Sequence, residues 1–314
     1  MSRVVTTATR SLAMISRIRA RSPLIVLALC AAVLAPGAAA AADRLQVVTT
    51  TVQVTALTSA VAGDLIELRG IVPAGADPHE FEPVASDLVA VERAGLILRQ
   101  GIGLDDWLDR TLKAGKGATV VTVTRGIRLE KIEEDGHTVD DPHVWHDPAN
   151  AERMVENIAA ALDGADPAHR GHYDANAAAY RNRLEEARVE VQAIIDTIPP
   201  ANRKLVTNHD AFGYFARAFG LKIVGAVIPN VSTAAEPSAK ETAKLLRTTR
   251  REGVKAIFAE STVNPKLAAS LAREAGVKMV DDLYGDSLGP PGSGAETVEG
   301  MWLANARKIA DALK

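Results

Sequence analysis

The sequence predicts an α/β protein of two lobes, each with a parallel sheet flanked by helices, joined by one long rigid helix. Short apolar runs of strand length alternate with helical runs in both halves of the chain, a pattern typical of parallel βα units. A helical run without proline or glycine covers residues 175–197, which at 1.5 Å per residue spans roughly 35 Å, the width of a domain. With 314 residues, the chain is also long enough for two domains.

The first half contains four predicted βα-type repeats of strand and helix. The predicted strands are residues 45–50, 65–72, 95–99 and 119–123, and the predicted helices are residues 51–62, 86–93, 104–113 and 149–163. Apolar residues in the last of these helices are spaced for one buried face. The polar, acidic stretch at 126–141, which precedes that helix, is predicted to be a flexible loop.

The second half again alternates predicted strands and helices, and it follows the long helix. Pro167 begins that helix and Pro199-Pro200 ends it. The predicted strands are residues 204–207, 221–226, 256–259 and 278–282, and the predicted helices are residues 210–218, 236–252, 264–276 and 295–313. We therefore expect an N-terminal lobe at residues 43–165, a connecting helix at 166–198 and a C-terminal lobe at 199–314.

The first 42 residues differ from the rest and predict a cleaved secretory signal peptide. They contain five arginines and no acidic residue, then an apolar run at 23–34 and alanines at 38–42. We expect cleavage close after Ala42, which would give an exported mature protein. A membrane anchor is the alternative, although the apolar run is short for a span. Cys30 is a conceivable lipoprotein site, but Leu29 before it is larger than the residue usual there.

Composition and charge limit the partners and the kinds of metal ligand that the mature chain can have. Removing the signal segment lowers Lys+Arg from 36 to 31 against 39 Asp+Glu, so the mature chain has a net charge of about −8, which disfavours nucleic acid as a partner. Cys30 is the only cysteine, so the mature chain has neither a disulfide nor a thiolate ligand for a metal.

Three histidines follow predicted strands or precede a predicted helix, in similar sequence settings. His79 and His209 each come directly after a strand, and His143 follows the acidic stretch and precedes a helix. Asp286 follows the last strand of the second half. Because ligands of open α/β sheets collect at the carboxyl ends of the strands, two facing lobes could supply two ligands each. Three neutral imidazoles and one carboxylate make a complete tetrahedral shell for Zn²⁺.

Four ordered motifs resemble the zinc/manganese-type (TroA-like) solute-binding proteins of bacterial ABC importers. They are Gly-x-x-Pro-His-x-Phe-x-Pro at 75–83, Asp-Pro-His-x-Trp-x-x-Pro at 141–148, Asn-His-Asp-Ala-Phe-Gly-Tyr-Phe at 208–215 and Phe-Ala-Glu-Ser at 258–261. The resemblance covers the whole mature chain and implies that His79, His143, His209 and Asp286 are the metal ligands. Manganese binders of this family usually have Glu in place of His209, so a third histidine favours zinc, as does ligand softness.

Two features depart from the family pattern. The acidic stretch is short and has only His137, whereas many zinc members carry a long His-rich insert there. His146 stands where an apolar or small residue is more usual, and it could approach the site or be solvated.

Three further expectations concern residues near the motifs or the long helix: Glu260 could orient a ligand histidine, Trp145 belongs to the core, and His169 and His172 are solvated.

The resemblance implies a monomeric periplasmic protein that captures Zn²⁺ between its lobes and delivers it to an inner-membrane ABC permease. Loading by a periplasmic metallochaperone is a further expectation. Manganese or iron is the alternative metal. A zinc hydrolase is less favoured because four protein ligands leave no position for a catalytic water. A binding protein for a chelated metal or corrinoid would not need three histidines. We therefore expect no enzymatic activity.

Overall fold

The computed structural model describes residues 44–112, 117–134 and 137–314. The predicted signal segment, including Cys30 and the expected cleavage position, lies outside this part of the chain. Within the described ranges, no helix is both long and apolar enough to cross a membrane.

The first sheet is parallel and is built from the first half of the chain. Its strands are β1 (Leu45–Thr49), β2 (Ile66–Gly70), β3 (Leu96–Arg99) and β4 (Thr119–Thr122), in the order β2-β1-β3-β4. The helices between them are α1 (Val52–Ala62), α2 (Ala85–Arg93) and α3 (Trp107–Leu112). Thr51 caps α1 by accepting a hydrogen bond from the Val54 N–H.

The acidic stretch forms a hairpin, so the prediction of a flexible loop at 126–141 is wrong. Strand β5 (Lys131–Glu134) pairs antiparallel with β6 (His137–Asp140). The Lys131 ammonium lies 2.6 Å from the Asp140 carboxylate directly opposite it, and Ile132 faces Val139. Cross-strand pairs of this kind stabilise a hairpin because opposite charges and apolar groups meet on its faces.

Two long helices follow the hairpin. Helix α4 (Pro148–Ala165) begins with Pro148 at its first position and is capped by the Asp147 carboxylate. A short 3-10 turn leads into α5 (Arg170–Asp196), which has 27 residues and is therefore roughly 40 Å long. The predicted long helix is confirmed.

The second sheet is also parallel. Its strands are β7 (Lys204–His209), β8 (Lys222–Ile228), β9 (Ala256–Glu260) and β10 (Lys278–Leu283), in the order β10-β9-β7-β8. Its helices are α6 (Gly213–Phe219), α7 (Ala239–Glu252), α8 (Lys266–Ala275) and α9 (Val298–Leu313). The predicted fold class is thus confirmed: two parallel sheets flanked by helices, with one long helix between them in sequence.

Helix α5 packs against helices from both halves of the chain, namely α1, α4, α6 and α9. Its buried residues recur every three to four positions and form one stripe along its length: Tyr173, Ala177, Tyr180, Leu184, Ala187, Val191 and Ile195. One continuous apolar core joins this stripe to residues of both halves, including Leu57, Leu98, Phe215, Phe258 and Trp302. A shared core of this kind opposes any large separation of the halves, because separation would expose it to water.

Candidate metal centre

Four side chains from the two halves of the chain converge at the carboxyl ends of the sheets. His79 lies in the segment between β2 and α2, and His143 directly precedes a 3-10 turn, Val144–His146. His209 is the last residue of β7, and Asp286 lies three residues after β10. One nitrogen or oxygen atom from each residue lies within 4.8 Å of all the others. The structure therefore brings together all four residues that the sequence predicts as ligands.

The spacing of these atoms is that of a small coordination shell. The Nε2 atom of His143 lies 3.3 Å from His79 Nε2 and 3.4 Å from His209 Nε2. The Asp286 carboxylate oxygens lie 3.5 Å from His79 Nε2, 3.3 Å from His143 Nε2 and 3.2 Å from His209 Nε2. A tetrahedron with bonds of 2.0–2.2 Å to a central ion has edges of about 3.3–3.6 Å. The donor set can thus enclose one tetrahedral metal ion with little rearrangement.

Carboxylates on the far side of two imidazoles fix which ring nitrogen faces the site. His143 Nδ1 lies 2.7 Å from an Asp141 carboxylate oxygen, which also accepts the His143 backbone N–H at 2.9 Å. His209 Nδ1 lies 2.6 Å from Glu260 Oε1. A proton on each Nδ1 donates to its carboxylate and leaves the Nε2 lone pair free for a metal. The expected contact of Glu260 with a candidate ligand histidine, His209, is confirmed, whereas the contact made by Asp141 was not predicted.

Gly285 is a second residue that sequence reasoning missed. A Cβ atom at this position would lie 1.6 Å from Glu260 Oε2, so only glycine leaves room for that carboxylate. The Gly285 carbonyl also accepts the indole N–H of Trp145 at 3.0 Å. The Gly285 backbone, next to Asp286, therefore packs directly against Glu260, the side chain that contacts His209 Nδ1.

Trp145 belongs to the core as expected, and it also connects the segments of the site. It is fully buried, and its carbonyl accepts the indole N–H of Trp302 in α9 at 3.0 Å. Gln53, in α1, donates its amide to the Asp286 carbonyl at 2.9 Å. Helices α1 and α9 thus hold the loop that carries Asp286.

The charges at the site determine its protonation. Burial alone would lower the pKa of His143, but the carboxylates of Asp141 and Asp286 outweigh burial and hold that pKa well above its ordinary value. The pKa of His209 is likewise raised, by Glu260 and Asp286 acting against burial. Burial would raise the pKa of Asp286, but His209 and the other imidazoles hold it well below its ordinary value. Protons on these imidazoles compete with a metal ion for the same carboxylate.

The remaining histidines lie outside the cluster. His146 is fully buried and stacks on Phe212, with ring centroids 5.0 Å apart, so it is neither near the solvent nor among the converging atoms. Burial and the neighbouring His143 lower the pKa of His146 to about 3, so it is neutral. His137 is exposed on the hairpin. His169 lies 2.6 Å from Asp166, at the start of the long helical region.

Comparison with known proteins identifies the family. The family model described as ZnuA, zinc-uptake complex component A, periplasmic, matches residues 47–312. The manganese-binding lipoprotein MntA of Halalkalibacterium halodurans is 33% identical over 253 residues, covering 81% of this chain and 83% of MntA. The iron ABC transporter substrate-binding lipoprotein MtsA of Streptococcus pyogenes serotype M1 is 30% identical, covering 87% of this chain and 90% of MtsA.

Similarity to solved structures supports the same family. The periplasmic zinc binding protein TroA from Treponema pallidum superposes with a TM-score of 0.79 at 28% identity, covering 86% of this chain and 99% of TroA. The similarity in sequence and in fold thus extends along nearly the whole described chain. The chain belongs to the ZnuA family and is a metal-binding substrate-binding protein of an ABC transporter, not an enzyme.

Proposed function

We propose that this protein binds Zn²⁺ through His79, His143, His209 and Asp286. The observation that carries the proposal is the set of three imidazole Nε2 atoms and one carboxylate spaced 3.2–3.5 Å apart along the measured edges. This spacing suits a tetrahedral ion with bonds of about 2.0–2.2 Å, and a shell of three nitrogens and one oxygen is typical of zinc.

The donor set, rather than the relatives, favours zinc. The printed names of the relatives differ, with manganese for MntA, iron for MtsA and zinc for TroA, so similarity alone does not select the metal. Imidazole is a softer ligand than carboxylate or water, and manganese prefers the oxygen donors. Three imidazoles and one carboxylate therefore favour zinc over manganese.

Manganese or iron remains the second candidate because of one observation. Both oxygens of Asp286 face the imidazoles, Oδ1 toward His143 and Oδ2 toward His79 and His209. A carboxylate bound through both oxygens would raise the coordination number to five, which suits metals that accept larger shells.

Capture uses ligands from both halves of the chain. Residues 43–165 supply His79 and His143, and residues 199–314 supply His209 and Asp286, with residues 166–198 as the connection. Metal binding joins the two halves at the site, and the shared core along α5 also holds them together. We therefore expect small movements of the lobes and local ordering of loops, not a wide hinge closure.

Delivery requires a membrane permease of the ABC type, since the family consists of substrate-binding components of such transporters. We propose the periplasm as the location of the mature protein, and a monomer as the delivering species. The buried site suits this role, because a metal enclosed by four protein ligands is protected from competing ligands until the site opens.

Metal competition tests the assignment. The purified protein is titrated with zinc and with manganese in metal-buffered solutions, and its bound metal is analysed. We expect one zinc ion per protein and a preference for zinc over manganese. A preference for manganese would reject the metal assignment, and unchanged affinity in both His143→Ala and His209→Ala would reject the site.

A further inference from the structure

One carboxylate joins the backbone of a ligand residue to the opposite half of the chain. Asp77 Oδ1 accepts the backbone N–H of His79 at 2.9 Å, and Asp77 Oδ2 accepts the hydroxyl of Thr233. Thr233 lies in the loop between β8 and α7. The position of His79 and the position of this loop are therefore coupled through a single side chain.

Two further contacts hold the segment around His79 to the second half. The Ser232 hydroxyl donates to Glu80 Oε1 at 3.4 Å, and the Gly75 backbone N–H donates to Ser287 Oγ at 2.6 Å. Ser287 is the neighbour of Asp286 in sequence. The segment at residues 75–80 is here called the His79 segment. It is thus hydrogen-bonded to the second half of the chain on both sides of His79.

His79 differs from the other two histidines in how it is held. The side chains of His143 and His209 are completely buried, and each has a carboxylate at Nδ1. The His79 side chain is 6% exposed, and within the described part of the chain it has no such carboxylate contact at Nδ1. The position of the His79 ring therefore depends on its backbone segment. His79 is also the residue of the four through which the site is nearest to solvent.

We propose that Asp77 and Thr233 form a clasp that sets the rate of metal release. When the hydroxyl–carboxylate contact breaks, the His79 segment moves away from the second half and withdraws His79, while the other three ligands stay in place. Asp77 and Thr233 are positioning residues, since neither side chain is among the converging donor atoms. This inference rests on the proposed function, in which the four residues bind zinc.

The test is the rate of zinc dissociation after the clasp hydroxyl is removed. Zinc-loaded protein is mixed in a stopped-flow instrument with an excess of a fluorescent zinc chelator. Thr233→Val keeps the shape of the side chain but cannot donate to Asp77. We expect it to release zinc about tenfold to a hundredfold faster than the wild type, the range for a hydrogen bond to a charged group.

Two variants separate the clasp from a general effect on folding. Thr233→Ser restores the hydroxyl and is expected to release zinc within about twofold of the wild-type rate. Thr242→Val removes a hydroxyl that donates to the Ser238 carbonyl at 3.1 Å in α7, away from the site, and is also expected to leave the rate unchanged. In an Asp77→Ala background, Thr233→Val should add little, because the partner is already absent.

The outcomes distinguish the clasp from the proposed function. A wild-type release rate in Thr233→Val, or fast release in Thr233→Ser, overturns the clasp while zinc binding stands. Wild-type protein that binds no zinc overturns the proposed function and, with it, the clasp. Fast release in Thr233→Val alone, with one zinc still bound per protein, supports both.

Discussion

Gly285→Ala tests how far the metal site depends on residues that never touch the metal. The added Cβ would lie 1.6 Å from Glu260 Oε2 and 2.5 Å from Glu260 Cδ. Since carbon and oxygen atoms in contact are separated by about 3.5 Å, the carboxylate or the loop must move by about 2 Å. The loop is held by the Trp145 indole at the Gly285 carbonyl, so the carboxylate has more freedom to move.

The expected loss of affinity follows from the contact that this movement breaks. Glu260 Oε1 lies 2.6 Å from His209 Nδ1, and a shift of about 2 Å takes it beyond hydrogen-bonding distance. Loss of such a partner of a ligand histidine costs about tenfold to a hundredfold in metal affinity, or about 1.4–2.7 kcal/mol. If the loop moves instead, Asp286 moves with it, and zinc affinity falls because this carboxylate is displaced from the metal.

Competitive titration against a chelator of known affinity measures the effect, with circular dichroism to check the fold. Gly171→Ala is a matched control, because a Cβ at this position in α5 meets no atom within 4 Å, and its zinc affinity should equal that of the wild type. Glu260→Gln should weaken binding by itself, and should add little in the Gly285→Ala background. A folded Gly285→Ala variant with wild-type affinity would refute the reasoning.

Three further predictions concern the histidines. His143→Ala and His209→Ala each remove a ligand, so zinc affinity measured by calorimetry should fall by more than the roughly hundredfold limit for an outer partner; a smaller loss would contradict the assigned ligands. Because the pKa values of these two imidazoles are raised, protons compete with zinc for their nitrogens, and zinc affinity should weaken as the pH falls. Calorimetry in buffers of different ionisation enthalpy should show that zinc binding releases protons; release of no protons would contradict this. His146→Leu should raise the melting temperature and leave zinc affinity unchanged, since this imidazole is fully buried and its contact with the Gly285 backbone falls short of a well-formed hydrogen bond; weaker zinc binding would show that His146 acts on the site.

Much of the fold was predictable because it depends on local patterns. The alternation of strand-length apolar runs with helices predicted both parallel sheets, and the run without proline or glycine predicted α5. The hairpin at 131–140 was missed although Asp135-Gly136, a pair typical of tight hairpin turns, lies in its sequence. Its charged residues resembled a solvated loop because its only apolar pair is Ile132 and Val139.

The candidate ligands were predictable for a related reason, since the three histidines lie in motifs at the end of a strand or beside a helix and Asp286 follows the last strand. The residues that position the candidate ligands were harder to predict from the sequence. Glu260 is the last residue of β9, and its position at the end of a predicted strand allowed its contact with a histidine to be predicted. Gly285 and Thr233 carry no local signal, because their contacts join residues that are far apart in sequence. His146 was left open between site and solvent, and its stacking on Phe212 became evident only from the packing of α6 against the turn that holds it.

The most direct test of the central claim is zinc K-edge X-ray absorption on protein loaded with one equivalent of zinc. The account predicts a four-coordinate ion with three imidazole nitrogens and one carboxylate oxygen at about 2.0–2.2 Å. A shell of five or six light atoms, or one with fewer than three imidazoles, would contradict the claim that His79, His143, His209 and Asp286 alone complete the coordination of zinc.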